Sequence, residues 1–401
     1  MEPRSFSDLV TFTRSTTGTF LNASGVLETA AVDVPRFEFD ASGAPRGLLF
    51  EQQRVNIALR SADFANALWT KGGATVAAST VIAPDGTVAN KLVESATTAT
   101  HGLAQVGKTV AGNTRYCRSV FAKADGSGRL LYLETDSFGQ WANAGNARYN
   151  LDTGTIDNAS SILDGVGIEA YPDGWYRCWL VATTIASPVA VPVDVQLATS
   201  AGPSYAGDGV SGAYIWGYQF EAGDSPSSYV PTVAAQVTRA ADLAFVAAAA
   251  WLQAGEGTLF AEVVHGSVPT PGSVGISEVG AAVLGTSGTG GRIALWLTAA
   301  NQRPNGHVVL DGGATVFNAN AGPALLPGGL LKEALAYKTD DFQFAATGQL
   351  SPEDTAGGLP TIDRLVLGAR GVSSNHMQGH ICRIKYYPRR LSAGELQALT
   401  A

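Results

Sequence analysis

The sequence contains few charged residues, few cysteines and no long hydrophobic run. Charged residues make up 15% of the 401 residues, and no stretch of about 18 apolar residues is present that would serve as a transmembrane helix. The N-terminus MEPRSFSDLV also lacks a basic patch followed by an apolar core, which a secretory signal needs. We therefore expect neither membrane insertion nor Sec export.

The three cysteines, Cys117, Cys178 and Cys382, have no metal-ligand spacing, and their odd number argues against a disulfide scaffold. Cys117 and Cys178 both lie in segments with strand patterning. They are therefore either separate core thiols or a single bridge between neighbouring strands, and the sequence leaves both open.

Basic charge is also scarce. The formal net charge is -8 and the isoelectric point is about 5.2. Proteins that bind nucleic acid draw much of their affinity from clustered Lys and Arg side chains, so we expect no nucleic-acid partner.

What the sequence has in abundance is glycine, at 47 residues, together with short runs of alternating apolar and polar residues. Such runs recur every 8 to 12 residues with turn signals between them, which predicts an all-β fold. Residues 1–60 read as a string of hairpins forming an N-terminal β module. Eight strands in residues 61–232 predict a jelly roll, residues 233–254 predict a linker, and residues 255–401 predict a second antiparallel sandwich. A capping box at Ser392 and Glu395, with Leu396 and Leu399 on one face, predicts a short C-terminal helix.

Catalytic motifs are missing. The sequence contains no G-x-S-x-G elbow, no H-E-x-x-H and no P-loop. Glu262 lies on a strand without the second carboxylate that a sandwich glycosidase requires. His376 and His380 have the spacing of a helical zinc pair, but Gly379 and the strand that follows argue against a helix. We predict that the protein is not an enzyme.

Aromatic and amide residues offer a binding surface instead. Sugar rings stack on Trp and Tyr, while sugar hydroxyls bind amides and carboxylates. This chemistry identifies five candidate carbohydrate-binding residues: Gln140, Trp141, Asn143, Trp216 and Gln219. A packing role for Trp141 and Trp216 is the alternative, and Trp175 and Trp179 are assigned to the core.

Two aspartates in turns, Asp85 and Asp208, are candidate calcium ligands, because oxygen-rich loops of jelly rolls hold that ion. Hydrogen bonding within the turns explains both residues equally well.

Three long phrases carry a resemblance to a known family: FTRSTTGTFLNASGVLETAAVDVPRFEFDASGAPRGLLFEQQRVN, FANALWTKGGATVAASTVIAPDGTVANKLVE and WGYQFEAGDSPSSYVPTVAAQVTRAAD. Over residues 11–242 the chain resembles tail fibre and head spike fibre proteins of tailed phages and of the related gene transfer agents. In that family the phrases bracket a jelly roll like a carbohydrate-binding module. The C-terminal part resembles a concanavalin A-like or laminin G-like domain. Val55 departs from the family, which more often has Thr before the Asn.

The resemblance implies an adhesin on the virion surface, attached to other virion proteins, that binds bacterial surface polysaccharide without cleaving it. Weak sugar sites gain from multiple copies, so we expect a homo-oligomer, most simply a trimer. A capsule depolymerase and a purely structural decoration protein are the alternatives. Two carboxyl groups facing each other across a deep cleft would argue for the depolymerase.

Overall fold

A computed structural model describes residues 5–135, 139–248, 251–253, 255–267, 278–286, 290–298, 300–369 and 376–401. Two short helices frame the strands: α1 (Phe6–Leu9) and α2 (Ala393–Thr400). A single 3-10 turn spans Pro172–Gly174. The prediction of an all-β protein with antiparallel sandwiches and a short C-terminal helix is confirmed.

The strands of the N-terminal half are β1 (Thr11–Thr13), β2 (Gly18–Leu21), β3 (Leu27–Ala30), β4 (Phe37–Phe39), β5 (Pro45–Phe50), β6 (Arg54–Asn56), β7 (Thr70–Gly72), β8 (Ala74–Ile82), β9 (Val88–Glu94), β10 (Thr98–Lys108), β11 (Arg115–Ala124), β12 (Leu130–Glu134), β13 (Asn146–Asn150), β14 (Thr155–Ala159), β15 (Gly165–Tyr171), β16 (Trp175–Thr183), β17 (Val191–Ala198), β18 (Ser204–Ala206) and β19 (Gly212–Ala222).

Those of the C-terminal half are β20 (Val237–Arg239), β21 (Leu243–Ala247), β22 (Glu256–His265), β23 (Glu278–Gly285), β24 (Arg292–Thr298), β25 (Pro304–Val309), β26 (Thr315–Asn320), β27 (Leu330–Lys338), β28 (Asp341–Ala346), β29 (Gln349–Leu350), β30 (Arg364–Leu367) and β31 (Gly379–Tyr387).

The first sandwich consists of two antiparallel sheets. Sheet 1 has the order β14-β13-β12-β17-β10-β18, with β7 also beside β10, and sheet 2 has the order β15-β16-β11-β19-β9-β8. Alternate side chains of both sheets meet in one core, which includes Leu103, Val120, Leu131 and Val195. This alternation is the pattern that the sequence displays, because successive residues of a strand point to opposite faces.

The second sandwich is built from both ends of the chain. Sheet 3 has the order β1-β21-β30-β23-β24-β25-β26, and sheet 4 has the order β29-β28-β27-β22-β31-β5-β4. Strand β1 pairs with β21, and β5 pairs with β31. The hairpins of residues 1–60 were predicted as an N-terminal module that packs on a neighbour or a partner; in the structure three of their strands, β1, β4 and β5, are part of the C-terminal sheets. Phe12, Leu48 and Phe50 belong to the core of that sandwich.

The segment predicted as a linker, residues 233–254, also contains paired strands. Strand β20 pairs with β6, and β21 lies between β1 and β30 in sheet 3. Two stretches of this segment, Val237–Arg239 and Leu243–Ala247, are therefore hydrogen-bonded into sheets. The Ala-rich run that suggested a linker includes Ala244, which is buried in the core of the second sandwich.

Helix α2 covers the outer face of sheet 4. Its N-cap residue Ser392 accepts a hydrogen bond from the Glu395 backbone N–H, and the Glu395 carboxylate accepts one from the Ser392 backbone N–H at 2.8 Å. Leu396 is fully buried against Phe260 and Ala334 of the sheet. The capping box predicted from the sequence is confirmed.

A buried ionic cluster joins the two sandwiches. We call Arg14, Arg36, Glu51, Arg239 and Asp242 the junction cluster; at most 1% of each side chain is exposed. Asp242 lies 3.1 Å from Arg14 Nη1 and 2.6 Å from Arg36 Nη2, while Glu51 lies 2.7 Å from Arg36 Nη1 and 3.4 Å from Arg239 Nε. The cluster thereby ties the N-terminal segment to the chain that enters the second sandwich.

The two sandwiches reach the same cluster through hydrogen bonds to Glu51. The Ser228 backbone N–H and hydroxyl both donate to its carboxylate at 2.6 Å, and the Gln378 amide donates at 3.1 Å. Although burial acts to raise the pKa of Glu51, Arg239 and Arg36 hold that pKa well below its ordinary range. Glu51 is therefore a permanent anion that links the chain leaving the first sandwich to β31.

Cys117 and Cys178 do not form a disulfide. They lie on adjacent strands β11 and β16, but Cys117 is opposite Val181 and Cys178 is opposite Val120, so they occupy opposite faces of sheet 2. Of the three free thiols, Cys382 is exposed. Within the described ranges, no helix has the length and hydropathy needed to cross a membrane.

Glu333 is an isolated carboxyl group in the core of the second sandwich. It shares the inward face of β27 with Leu331 and Leu335, it is fully buried, and neither of its side-chain oxygens has a hydrogen-bond partner within the ranges that the structure describes. Burial raises the pKa of Glu333 well above its ordinary value. The folded protein therefore retains a proton that the unfolded chain releases above about pH 4.3.

The neutral substitution Glu333→Gln should stabilise the protein in a pH-dependent way. The raised pKa makes folding of the wild type less favourable as pH increases. We therefore expect the free energy of unfolding of the variant to exceed that of the wild type by about 1–3 kcal/mol at pH 8 and to differ little from it at pH 4. Denaturant unfolding at both pH values measures this difference. The exposed carboxylate substitution Glu353→Gln is the control and should show no such increase. Equal effects of Glu333→Gln at both pH values would contradict the assignment.

Candidate functional site

A cleft with a volume of about 300 Å³ lies where the two sandwiches meet. Its floor is the outward face of sheet 2 at strands β15 and β16, and one wall is the turn Asp224–Ser228. The opposite wall comes from the second sandwich, through Glu38 and Arg46 of β4 and β5 and through Gln378 and His380 at the start of β31. The junction cluster fixes these walls, since Glu51 at the back of the cleft binds both Ser228 and Gln378.

An indole ring lies on the floor of the cleft. Trp179 on β16 is opposite Gly167 on the edge strand β15. A Cβ atom at Gly167 would lie 2.4 Å from the ring atoms Cε2 and Cζ2, and one at Gly165 would lie 3.2 Å from Cζ3. The ring therefore rests on two glycines that leave space for it. Trp179 is only half-buried, so part of its surface is available within the cleft.

Glu169 lies two residue pairs farther along the same two strands, opposite Arg177. The Arg177 guanidinium is buried and donates to the Ser119 hydroxyl at 3.0 Å and to the Ser227 carbonyl at 2.6 Å. Among the described residues, no cation lies within ion-pair distance of Glu169. The carboxylate of Glu169 is exposed to solvent inside the cleft.

The other acidic groups at the rim are paired. Glu38 lies 2.6 Å from His380 Nε2 and 3.6 Å from Arg46. On the opposite side, Arg115 lies 3.4 Å from both Asp164 and Asp224. The cleft thus combines one aromatic surface with charged groups of both signs.

Although Glu169 is an exposed residue, the surrounding walls of the cleft partly desolvate its carboxyl group and raise its pKa. Arg177 and Arg46 act in the opposite direction, while the negative charge of Glu38 raises this pKa further. Glu38 and Glu169 come from different sandwiches, so their interaction acts across the cleft.

The predicted carbohydrate-binding residues lie elsewhere. Trp216 and Gln219 are fully buried: Trp216 packs against Phe121 and Tyr229, and the Gln219 amide binds Glu221 and the Val230 backbone N–H. Neither presents a surface to a sugar. Their strand face, which would be a free outer face of an isolated sandwich, is covered here by the chain that leaves it.

Trp141 is also a packing residue. It is buried beneath the Arg118 guanidinium, 5.3 Å above the ring, and meets Phe220 edge-on. The Asn143 amide donates to Asp164 and its oxygen accepts from the Thr183 backbone, while the Gln140 oxygen accepts from the Val189 backbone. These three residues hold a loop in place, and the structure does not bring them together with Trp216 or Gln219 at one surface.

The side chains of Asp85 and Asp208 accept hydrogen bonds within their own turns. Asp85 accepts hydrogen bonds from the backbone and hydroxyl of Thr87, and Asp208 accepts them from Ser211 and from the Val210 backbone. The hydrogen bonds from Ser211 and Val210 hold the pKa of Asp208 below its usual range. No group of three or more His, Cys, Asp or Glu side chains suited to a metal ion occurs in the part of the chain that the structure describes.

No family model and no curated protein matches the chain. Solved structures with a similar strand arrangement include the CBM40 of the Ruminococcus gnavus IT-sialidase, with a TM-score of 0.31, 17% identity, and coverage of 37% of this chain and 84% of that one. Domains LG4-5 of the mouse laminin alpha1 chain have a TM-score of 0.25 and 13% identity, with coverage of 74% of this chain and 90% of that one. Trypanosoma rangeli sialidase has a TM-score of 0.31 and 14% identity, with coverage of 84% of this chain and 69% of that one. At these TM-scores the similarity carries no inference about ligand or activity.

Sequence reasoning placed Trp179 in the core, together with Trp175. The structure places Trp175 in a buried cluster with Phe121 and Trp216, but Trp179 lies in the cleft. The signal that distinguishes the two is the spacing of Gly165 and Gly167 in GVGIEAY, which removes side chains from alternate positions of one strand face.

The coupling between Glu38 and Glu169 can be measured by titration. We expect the pKa of the Glu169 carboxyl to lie above its ordinary value and to fall in Glu38→Gln, because that substitution removes a negative charge acting across the cleft. Carboxyl carbon NMR of labelled protein reports both values. The substitution Glu353→Gln, which removes an exposed carboxylate paired with Arg390, is the control. An unchanged Glu169 pKa in Glu38→Gln would show that the two carboxyls do not interact.

Proposed function

We propose that the protein is a non-enzymatic adhesin that binds bacterial surface polysaccharide in the cleft between its two sandwiches. The observation that carries this proposal is the partly exposed Trp179 ring on Gly165 and Gly167, inside a cleft with carboxylate and guanidinium groups. Apolar faces of sugar rings stack on indole, and sugar hydroxyls bind charged and amide groups at its edge.

A particle-bound adhesin also agrees with the resemblance of residues 11–242 to phage tail fibre and head spike fibre proteins. On this proposal the protein is located at the virion surface, contacts other virion proteins and forms a homo-oligomer, most simply a trimer. A cleft of about 300 Å³ accommodates only a few sugar residues, so each site is weak. Several linked copies would raise the avidity by about 10²–10⁴-fold.

The substitution Trp179→Ala tests the cleft as the glycan site. Loss of the stacking surface should weaken binding to host polysaccharide by about tenfold or more, as measured by calorimetry or on a glycan array. Trp251→Ala is the matched control, because Trp251 is a half-buried indole of the second sandwich that packs on Tyr386 outside the cleft. Undiminished binding by Trp179→Ala would exclude this cleft, and a blank array with wild-type protein would favour a structural decoration protein.

One observation favours a polysaccharide hydrolase as the second candidate: Glu38 and Glu169 line the same cleft from opposite sandwiches. A carboxyl with a raised pKa and a second carboxylate are the groups that glycosidic hydrolysis requires. Incubation of host polysaccharide with the purified protein distinguishes the two candidates. The adhesin releases no new reducing ends, whereas a hydrolase releases them and loses this activity in Glu169→Gln.

A further inference from the structure

We propose that the cleft selects a saccharide bearing a protonated amino group, whose ammonium pairs with Glu169 beside the Trp179 ring. This inference rests on the proposed function and names the ligand class of the same site. Its basis is the charge balance of the cleft and the pairing of each carboxylate within it.

The cleft is acidic. Five carboxylates and three guanidinium groups line it, and Glu51 belongs to the junction cluster at its back. At the rim, Arg46 neutralises Glu38, and Arg115 is shared between Asp164 and Asp224. Glu169 is left with no cation of the described chain at ion-pair distance. Arg177, opposite Glu169, acts on it electrostatically, but its guanidinium is held by Ser119 and Ser227. Because carboxylates outnumber guanidinium groups in the cleft, an anionic sugar is disfavoured, whereas an ammonium group can form the ion pair that Glu169 lacks.

Buried polar atoms point to a ligand independently of charge. Gln378 is more than nine-tenths buried and lines the cleft; its amide nitrogen is held by Glu51, and its oxygen has no hydrogen-bond partner among the described residues. His380 is also more than nine-tenths buried, with Nε2 on Glu38 and with no partner for Nδ1 in the same part of the chain. Buried acceptors of this kind are normally satisfied. Hydroxyl and ammonium donors of an amino sugar would satisfy the Gln378 oxygen.

The aromatic surface suits the same ligand. Gly167 and Glu169 lie on the same face of β15, and Trp179 covers Gly167, so the indole and the carboxylate are neighbours across the strand pair. An ammonium group at the ring edge of a hexosamine would contact the negative face of the indole while pairing with Glu169. A neutral N-acetyl group can do neither.

The test compares the fully deacetylated tetramer of β-1,4-linked glucosamine with the N-acetylated tetramer of the same length. Calorimetry at pH 6 should show wild-type protein binding the deacetylated tetramer about tenfold more tightly or better. Glu169→Gln should lose this preference, since it keeps the shape of the side chain and removes its charge. Asp157→Asn, which alters a partly exposed carboxylate paired with Arg148, is the control and should retain the preference.

The outcomes separate this inference from the proposed function. Equal or tighter binding of the acetylated tetramer, or binding of neither tetramer, would overturn the selection of ammonium groups. Glycan binding that depends on Trp179 would then still support the adhesin. Retention of the preference in Glu169→Gln would also overturn the inference, because a residue other than Glu169 would then bind the ammonium group. Failure to bind any glycan would refute the proposed function itself.

Discussion

The arrangement of the whole molecule depends on the junction cluster. Three arginines and two carboxylates are removed from water there, and such burial is tolerated only when the charges are paired and hydrogen-bonded. The participating groups come from the N-terminal segment, from the end of β20 and from Asp242 just after it, while Ser228 and Gln378 add contacts from either side. Ion pairs of this kind restrict the distance and orientation of the side chains that form them. They therefore fix how one sandwich faces the other, and this orientation sets the width of the cleft.

Two of the three phrases that carried the family resemblance, the first and the third, contain the residues of this cluster. Arg14 lies in FTRSTTGTF, Arg36 in VPRFEFD, Glu51 in GLLFEQQRVN, and Arg239 and Asp242 in VTRAAD. Asn56, the last residue of the first phrase, binds the backbone of β19 and of the Val230 segment. The resemblance identified these phrases in the sequence. Their assembly could not be inferred from spacing, because Arg14 and Asp242 are neighbours only after the entire first sandwich has folded between them.

Alternation of apolar residues was enough to predict the all-β class, most central strands and helix α2, since these depend on local pattern and on capping. Edge strands were harder to predict from the sequence. Strand β15 has glycines at alternate positions, which lowers its strand signal, and it forms the floor of the cleft. The same limit explains Trp216 and Trp179: period-2 alternation tells which residues share a face, but not which part of that face another segment covers. Trp216 is covered by Tyr229, and Trp179 is left half-exposed.

The second sandwich is discontinuous in sequence, with the first inserted between its opening strands and the remainder. The partners of β1 and β5, which are β21 and β31, follow the first sandwich in the sequence. During translation their backbone edges stay unpaired while the first sandwich is completed, and unpaired edges of this kind invite aggregation. The insertion also determines how the protein can be dissected. Removing the C-terminal half would leave orphaned N-terminal strands, so an independently folding fragment has to begin after β5.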